Sequence, residues 1–451
     1  DAPPHYPWRG PWADVALAAR PAGPSSASPQ ALGRPGLRGA ALDLQATERG
    51  GSAQLRISDG HVDVPGVFHE SRVPLQRLQA QLGWRIDPPS DPSRAGAAPQ
   101  ISVQAQDVRF ANADVQGEFN AQWSTGPGAG TGAGARLPGR LALSGLLRDG
   151  VASRVARYLP LGVGAEARDY VARAVQGGTV TRASFRVQGD LWDFPFHLSR
   201  RAGDAFLVNA RIDGGTLAYV PAAAPGQAPD WPAMSQVAGE LVFDRASLAV
   251  RNAQAQVWGV QLSHINGGVA DLMQASVLKI DGQAHGPAAD MLRYVGASPV
   301  GAMLDGALAE AQASGDADLR LGLVIPLLHA DTTTVSGQVQ LAGNDVRLRP
   351  HTPLLAAARG RVEFTEHSLR VAEASAQLLG GELRFEGGTE RDGALRFSGQ
   401  GTATAEALRQ ASEVGALPLP IAQRLSGQAR YELRLGWVNG AHDLLVTSAG
   451  V

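Results

Sequence analysis

The sequence predicts a mainly β protein of repeated antiparallel β-meander modules, with short helices inserted once per module. Three observations predict it. From Gly36 onward apolar and polar residues alternate over most of the chain, a period of two that gives each strand one apolar and one polar face. Turn signals such as Asp213-Gly214-Gly215, Asn266-Gly267-Gly268 and Arg391-Asp392-Gly393 separate the alternating runs and favour hairpins. Finally, the stretch GRVEFTEHSLRVAEASAQLLGG, residues 360–381, recurs.

Moved back by 121 positions, that stretch falls on GELVFDRASLAVRNAQAQVWGV, which begins at Gly239. Gly239, Phe243, Ser247, Leu248, Val250, Ala253, Ala255 and Gly259 then match Gly360, Phe364, Ser368, Leu369, Val371, Ala374, Ala376 and Gly380 without a gap. A third, partial copy is read at 108–117, with Val108 matching Val250 and Gly117 matching Gly259. Self-similarity at long spacing marks repeated structural modules.

The elements follow in order. Residues 1–35 are rich in Pro, Gly and Ser and read as an extended entry segment. A first β module is expected over 36–145 and a helical insert over 146–178, closed by Gly177 and Gly178 as a helix C-cap. A second module over 179–282 is followed by an insert over 283–313, where Pro287 stands as a first-turn proline. A third module over 314–399 and an insert over 400–425 lead into the start of another module, 426–451. The pairs Arg157-Tyr158 and Arg293-Tyr294, and Leu292-Arg293 and Leu408-Arg409, put the inserts at one point of the repeat. Residues 124–139 and 221–232 read as loops.

Composition bounds the function. The chain has 451 residues, 44% hydrophobic and 18% charged, with a formal charge of -2. It can bury a large surface and carries no electrostatic footprint for nucleic acid. It has no cysteine, which removes disulfides and thiol chemistry. No run approaches the roughly 18 apolar residues that span a bilayer. A start at Asp1 and a stop at Val451 read as a piece of something longer.

No residue pattern points to catalysis, a metal or a cofactor. Glycines at 126, 128, 130, 132 and 134 lack the GxGxxG register and a following Lys-Ser/Thr, so a linker is the better reading. His61 and Asp63 could supply two metal ligands from one strand face, but no third is apparent. Asp316 and Asp318 fit the polar side of a half-buried strand. What remains is the apolar faces, with Ala at 253, 255, 374 and 376 where a packed core would use Val or Ile. Two readings stay open: the interior of β-sandwiches, or a long curved sheet whose apolar inner face stays uncovered.

RYLPLGVGAEARDYVARAVQGGTVTRASFRVQGDLWDFPF, residues 157–196, resembles the YhdP branch of the AsmA-like proteins of Gram-negative bacteria. The elements that carry the resemblance are the RYLP opening, a helix ending in Gly-Gly, a strand, and GDLWDFPF; 36–60, 206–221 and 231–250 are similar too. The resemblance implies an elongated, curved β-groove and a bridge-like lipid transfer protein without catalysis. Such a chain would be a periplasmic segment, attached to the inner membrane through a segment it lacks. It would carry phospholipid toward the outer membrane, with possible envelope-protein partners. It further implies a lining of Leu241, Phe243, Leu248, Val250, Val362, Phe364, Leu369, Val371, Leu383 and Phe385, with the arginines and glutamates outward. The competing expectations are a structural spacer or assembly scaffold with sealed sandwich cores, and a carbohydrate-active solenoid, which would want clustered carboxylates and more than 6% aromatics.

Overall fold

The computed structural model describes residues 8–21, 33–89, 98–128, 132, 134–222, 227, 231–274, 276–303, 308–327, 332–350, 352–412, 426–438 and 441–449. The chain is mainly β, and its strands form one antiparallel sheet of 22 strands. It divides into two compact units. The first holds Asp1–Pro221, Gln236–Arg251 and Ala270–Met273; the second holds Ala222–Ser235, Asn252–Val269 and Gln274–Val451.

In the first unit, β1 (Trp8–Leu17), β2 (Gly36–Thr47), β3 (Gly50–Asp63), β4 (Arg72–Asp87) and β5 (Gln100–Ala111) each pair with the next. The meander continues through β6 (Gln116–Ser124), β7 (Arg140–Val151), β8 (Val175–Asp190) and β9 (Ala205–Leu217). A 3₁₀ helix (Ala152–Tyr158) and α1 (Ala165–Ala174) lie between β7 and β8. β10 (Met234–Asp244) and β11 (Ser247–Val257) follow.

The second unit takes the end of β11 from Asn252 and runs through β12 (Val260–Val269) and β13 (Val277–Pro287) across α2 (Ala288–Gly296) and α3 (Val300–Met303). A two-residue β14 (Gln312–Ala313) precedes β15 (Asp316–Pro326), which pairs directly with β13. Then come β16 (Thr334–Arg347), β17 (Leu355–Thr365), β18 (Leu369–Leu378), β19 (Gly381–Thr389) and β20 (Leu395–Thr404). After α4 (Ala405–Ser412), β21 (Gln428–Val438) and β22 (Ala441–Ala449) continue the antiparallel series.

Three local expectations change. Residues 8–17 of the expected entry segment form β1 and pair with β2; Trp8, Gly10 and Trp12 alternate, and Pro11 is tolerated because the strand has β2 alone as a registered partner among the described residues. Helix α1 ends at Ala174 rather than at a Gly-Gly cap, because Val175 and Gly177 already pair with Leu217 and Thr216 of β9. Pro287 is the N-cap of α2 and the last residue of β13, one place earlier than a first-turn proline.

The 121-residue repeat is visible in the backbone. β10 and β11 match β17 and β18 nearly residue for residue, and the left-handed positions recur: Gln236 (φ 51°) with Ala357 (φ 50°), Asn252 (φ 45°) with Glu373 (φ 52°), Trp258 (φ 49°) with Leu379 (φ 54°). The third copy falls elsewhere. Residues 108–117 cross the turn from β5 to β6, whereas 250–257 are all strand. The places of Asn252 and Asn266 are taken by Asp107 and Asn120. In both modules the Asn side-chain oxygen accepts the N–H of the left-handed residue at 2.9 Å.

These left-handed residues sit at register shifts. Asp14, Gly39, Asp59 and Asp107 mark them in the first unit, and His264, Gly343, Ala357 and Glu373 in the second. Each shift is a bulge, an extra residue that bends its strand and sharpens the local twist. The inserted residue turns an N–H out of the ladder, and Asn120, Asn266 and Asp345 (for Ala357, at 2.9 Å) take it up. Buried apolar side chains form one cluster in the first unit, Ala40, Leu55, Ile57, Leu75, Ala80 and Val108, and a smaller one in the second, Leu383, Ala403 and Tyr431.

Replacing Asn266 by Ala should release the Asn252 amide. Hydrogen exchange should accelerate at Asn252, with a loss of about 1 kcal/mol in stability. An Asn252 amide as protected as before would show that the Asn side chain does not hold the bulge.

Candidate functional site

Registered partners in an antiparallel sheet point to the same face, so pairing traces the apolar face strand by strand. In the first unit one row reads Leu44, Ala53, Leu82, Ala105, Ala121, Leu143, Val187 and Phe206, from β2 to β9. In the second unit Ala284, Leu319, Val339, Val362, Val371, Gly387, Phe397 and Leu435 run from β13 to β21. Neither row contains a polar side chain. Each crosses seven strand spacings, roughly 34 Å at ~4.8 Å per strand.

The opposite face is polar. Gln283, Arg320, Gln338, Glu363 and Arg370 form one cross-strand row there. A shallow depression of ≈ 840 Å³ lies on this side, lined by those residues together with His264, Asn266 and Ser336. Two of the carboxylates named from the sequence, Asp63 and Asp318, lie on polar faces in ion pairs. Asp63 meets His61 at 3.3 Å and Arg72 at 3.2 Å, and Asp318 meets His285 at 2.8 Å. Among the described residues no group of three or more His, Asp or Glu is placed to hold a metal ion.

Of the ten residues expected to line a groove, Phe364 pairs with Leu369 and Val362 with Val371. Val371 pairs with Gly387, which shares its face with Leu383 and Phe385 on β19. These six therefore stand on one face of the second unit. Leu241, Phe243, Leu248 and Val250 occupy the matching positions of β10 and β11. Nine of the ten are half-buried, and Leu383 alone is buried, at 2% exposure. Leu383 packs with Ala403, Tyr431 and Leu408 of α4, so it belongs to a small core under that helix rather than to an accessible lining. The inner face of a two-sheet sandwich would bury such large side chains; here the buried apolar residues are mostly Ala, with Ala374 and Ala376 at 6% and 3% exposure.

The sequence reading missed the glycines that shape this face. Phe364 lies across Gly337 of β16, where an added Cβ would overlap the ring. Phe119 and Phe185 converge on Gly145, Phe110 covers Gly117, and Tyr431 covers Gly401. A ring laid flat over a neighbouring glycine shields backbone and keeps the apolar surface shallow. The signal was an aromatic facing a glycine in register, which a single strand does not reveal.

The helices dock at strand ends on one kind of turn. Tyr158 of the 3₁₀ helix reaches the β5–β6 turn, accepting from Asn112 Nδ2 at 2.9 Å and donating to Asp114 Oδ2 at 2.8 Å. Arg157 joins Asp114 at 3.2 Å and Glu70 at 2.9 Å. In the second unit Asp290 of α2 accepts from the Gly259 N–H at 3.1 Å, and the Arg293 guanidinium lies 4.0 Å from the Trp258 ring centroid. α4 lies against Gly380, where an added Cβ would sit 3.0 Å from Ala407. Among the described residues no helix is long and apolar enough to cross a membrane.

A family model described as YhdP protein matches residues 11–448. The intermembrane phospholipid transporter YhdP of Escherichia coli (strain K12) is 26% identical over 285 residues, which is 63% of this chain and 21% of that protein. The matched stretch thus spans about a fifth of that relative's length. No solved structure matches.

Burial first, and the hydrogen bond to Asp114 second, push the Tyr158 phenol up to about 12. A raised phenol stabilises the fold below its unfolded value near 10, and that contribution is lost as the pH climbs toward 12. Burial raises Tyr170 and Tyr431 as well, so ultraviolet titration should show Tyr158→Phe losing one tyrosine from the late-ionising component. An unchanged late amplitude in the variant would show that Tyr158 is not so held.

Proposed function

The chain belongs to the YhdP family, and we propose that it is a segment of a lipid-transfer bridge that carries phospholipid acyl chains along its uncovered apolar face. One observation carries the reading: each unit presents an eight-strand apolar row whose large side chains are half-buried. The similarity to an intermembrane phospholipid transporter supplies the cargo class. The bridge would stand in the periplasm between inner and outer membranes, anchored through parts outside this chain. The lining would be Leu241, Phe243, Leu248, Val250, Val362, Phe364, Leu369, Val371 and Phe385, with Leu383 beneath.

The mechanism is solvation, without a chemical step. Moving a CH₂ group from water to an apolar surface is worth about 0.8 kcal/mol, so an acyl chain of some sixteen carbons faces a cost on the order of 10 kcal/mol in water. An apolar row removes most of that cost at every position along it. A hydrocarbon core of about 30 Å holds two opposed acyl layers, so a row of roughly 34 Å exceeds one chain length and lets a lipid slide without leaving cover. The head group stays in water, and such a passive surface equilibrates lipid without setting a direction.

The polar rows would keep the outer face wetted. A sealed-core scaffold would have the sheet close over its apolar face, and the half-buried state of the large row side chains supports the open reading instead.

Lipid extracted from protein purified without detergent should exceed that of a control protein. Phe364→Asp and Val371→Asp should each reduce it several-fold while circular dichroism keeps its β signature. Unfolding by those substitutions would place both residues in a closed core, and no lipid above control would remove the conduit reading.

A further inference from the structure

The loop that leaves β8 at Asp190 and returns in β9 at Ala205 touches the apolar row of the first unit. Gly189 stands two residues after the row member Val187, and so on the same face. The Phe196 ring lies against it, where an added Cβ would come within 2.6 Å, and is fully buried. Phe194 packs edge-on against Phe196 at 5.8 Å and against Phe206, the β9 member of the row, at 5.1 Å. Phe206 is the second residue of β9, and Val187 lies three residues before the end of β8. At ~3.3 Å per residue the row here runs within about 10 Å of the strand ends.

The rest of the loop is open to water and mixed in character. Trp192 and Leu198 are 47% and 73% exposed, and Arg200 and Arg201 are exposed as well. Two arginines are fixed in place. Arg201 meets Asp193 at 3.5 Å. Arg245 donates its N–H to the Phe206 carbonyl and its Nη2 to the Asp204 carbonyl at 3.4 Å. The two buried carboxylates are engaged within the protein: Asp190 accepts from the Gly134 and Trp192 N–H groups, and Asp204 from the Ser199 hydroxyl. Asp193 is part-exposed and Asp244 exposed. The Nδ1 of His197 is buried in the same loop without a hydrogen-bond partner among the described residues.

We propose that this loop is a head-group site, which takes the phosphate and ammonium of a zwitterionic phospholipid whose acyl chains lie on the row at Val187 and Phe206. The proposal rests on the lipid-conduit reading and adds where the head group sits. Guanidinium groups pair with phosphate oxygens through parallel N–H donors, which Arg200, Arg201 and Arg245 supply, and Asp193 gives the ammonium a carboxylate. The balance of signs selects a zwitterion over an anion: three arginines stand with four carboxylates, Asp190, Asp193, Asp204 and Asp244, so no excess of positive charge gathers. Trp192 suits the level between chain and head group, where indole rings settle at bilayer interfaces. A site of this kind stays wet, and the head group exchanges part of its hydration for charged partners without being buried.

The test uses the full chain and two photoactivatable lipids with the same acyl chains, a phosphatidylethanolamine and a diacylglycerol, delivered from vesicles, with cross-linked peptides mapped by mass spectrometry. In an Arg200→Gln, Arg201→Gln variant, phosphatidylethanolamine labelling of β8 and β9 should fall several-fold, while diacylglycerol labelling of the same strands and all labelling of β16 in the second unit should not change. Loss of both lipids alike, or of neither, would overturn the site. Asp193→Asn should weaken labelling by phosphatidylethanolamine and not by a matching phosphatidylglycerol; an equal response would overturn the zwitterion. Excess inorganic phosphate should leave the phosphatidylethanolamine signal unchanged, because a free anion gains nothing from the row. Displacement by phosphate would assign the arginines to a free anion and overturn the lipid head group. If neither lipid labels the apolar rows of the unaltered chain, the conduit reading fails and the head-group site with it, an outcome distinct from an insensitive variant.

Discussion

A single sheet of registered antiparallel strands has to be held together by its backbone ladder, and the other features of this protein answer to that constraint. In a two-layer domain, packing between layers supplies most of the cohesion and fixes each strand's register. Here the registered antiparallel pairs do it. Side chains therefore take unusual duties. Asn120, Asn266 and Asp345 close the gaps that bulges open in the ladder. Phe364, Phe185 and Tyr431 lie over glycines of adjoining strands and protect backbone that no second layer covers. The buried apolar residues gather in two small clusters, one beside the bulges at Gly39, Asp59 and Asp107 and one under α4.

The alternation of apolar and polar residues made the β character and the two faces legible. In GRVEF it placed Val362 and Phe364 together, and the pairing with Val371 and Leu369 follows from one hairpin. The bulges were not legible. Asp and Asn adopt left-handed backbone more readily than other side chains, which fits Asp59, Asp107 and Asn252, but Ala357 and Glu373 carry no such mark. An inserted residue also slips a repeat comparison, which is why 108–117 aligned about four positions from its structural equivalent. Leu383 was read as lining because its strand alternates correctly; that α4 covers it is a tertiary fact with no local signature. The contact of Gly162 with Phe194 escaped notice for the same reason, since the two lie 32 positions apart and meet through the fold.

Small residues are frequent on the apolar face. Ala and Gly at Ala105, Ala121, Ala284 and Gly387 leave the surface shallow, and neighbouring Phe and Leu supply the contact area. A sandwich core would fill such places to reach crystal-like density. A surface meant to receive a mobile chain gains from staying unfilled, because an acyl chain that fits no one position tightly is trapped at none. Smoothness of the energy along the row, rather than its depth, sets how readily a chain moves.

Six strands separate α1 from α2, and six more, leaving aside the two-residue β14, separate the α2–α3 pair from α4. In such a design each strand answers only to its two neighbours, so copying a block of six in the gene leaves every existing pair intact. At ~4.8 Å per strand one block adds about 29 Å of apolar track. Duplication and deletion would then act as a ruler, setting the number of strands in the sheet while the chemistry of its two faces stays the same.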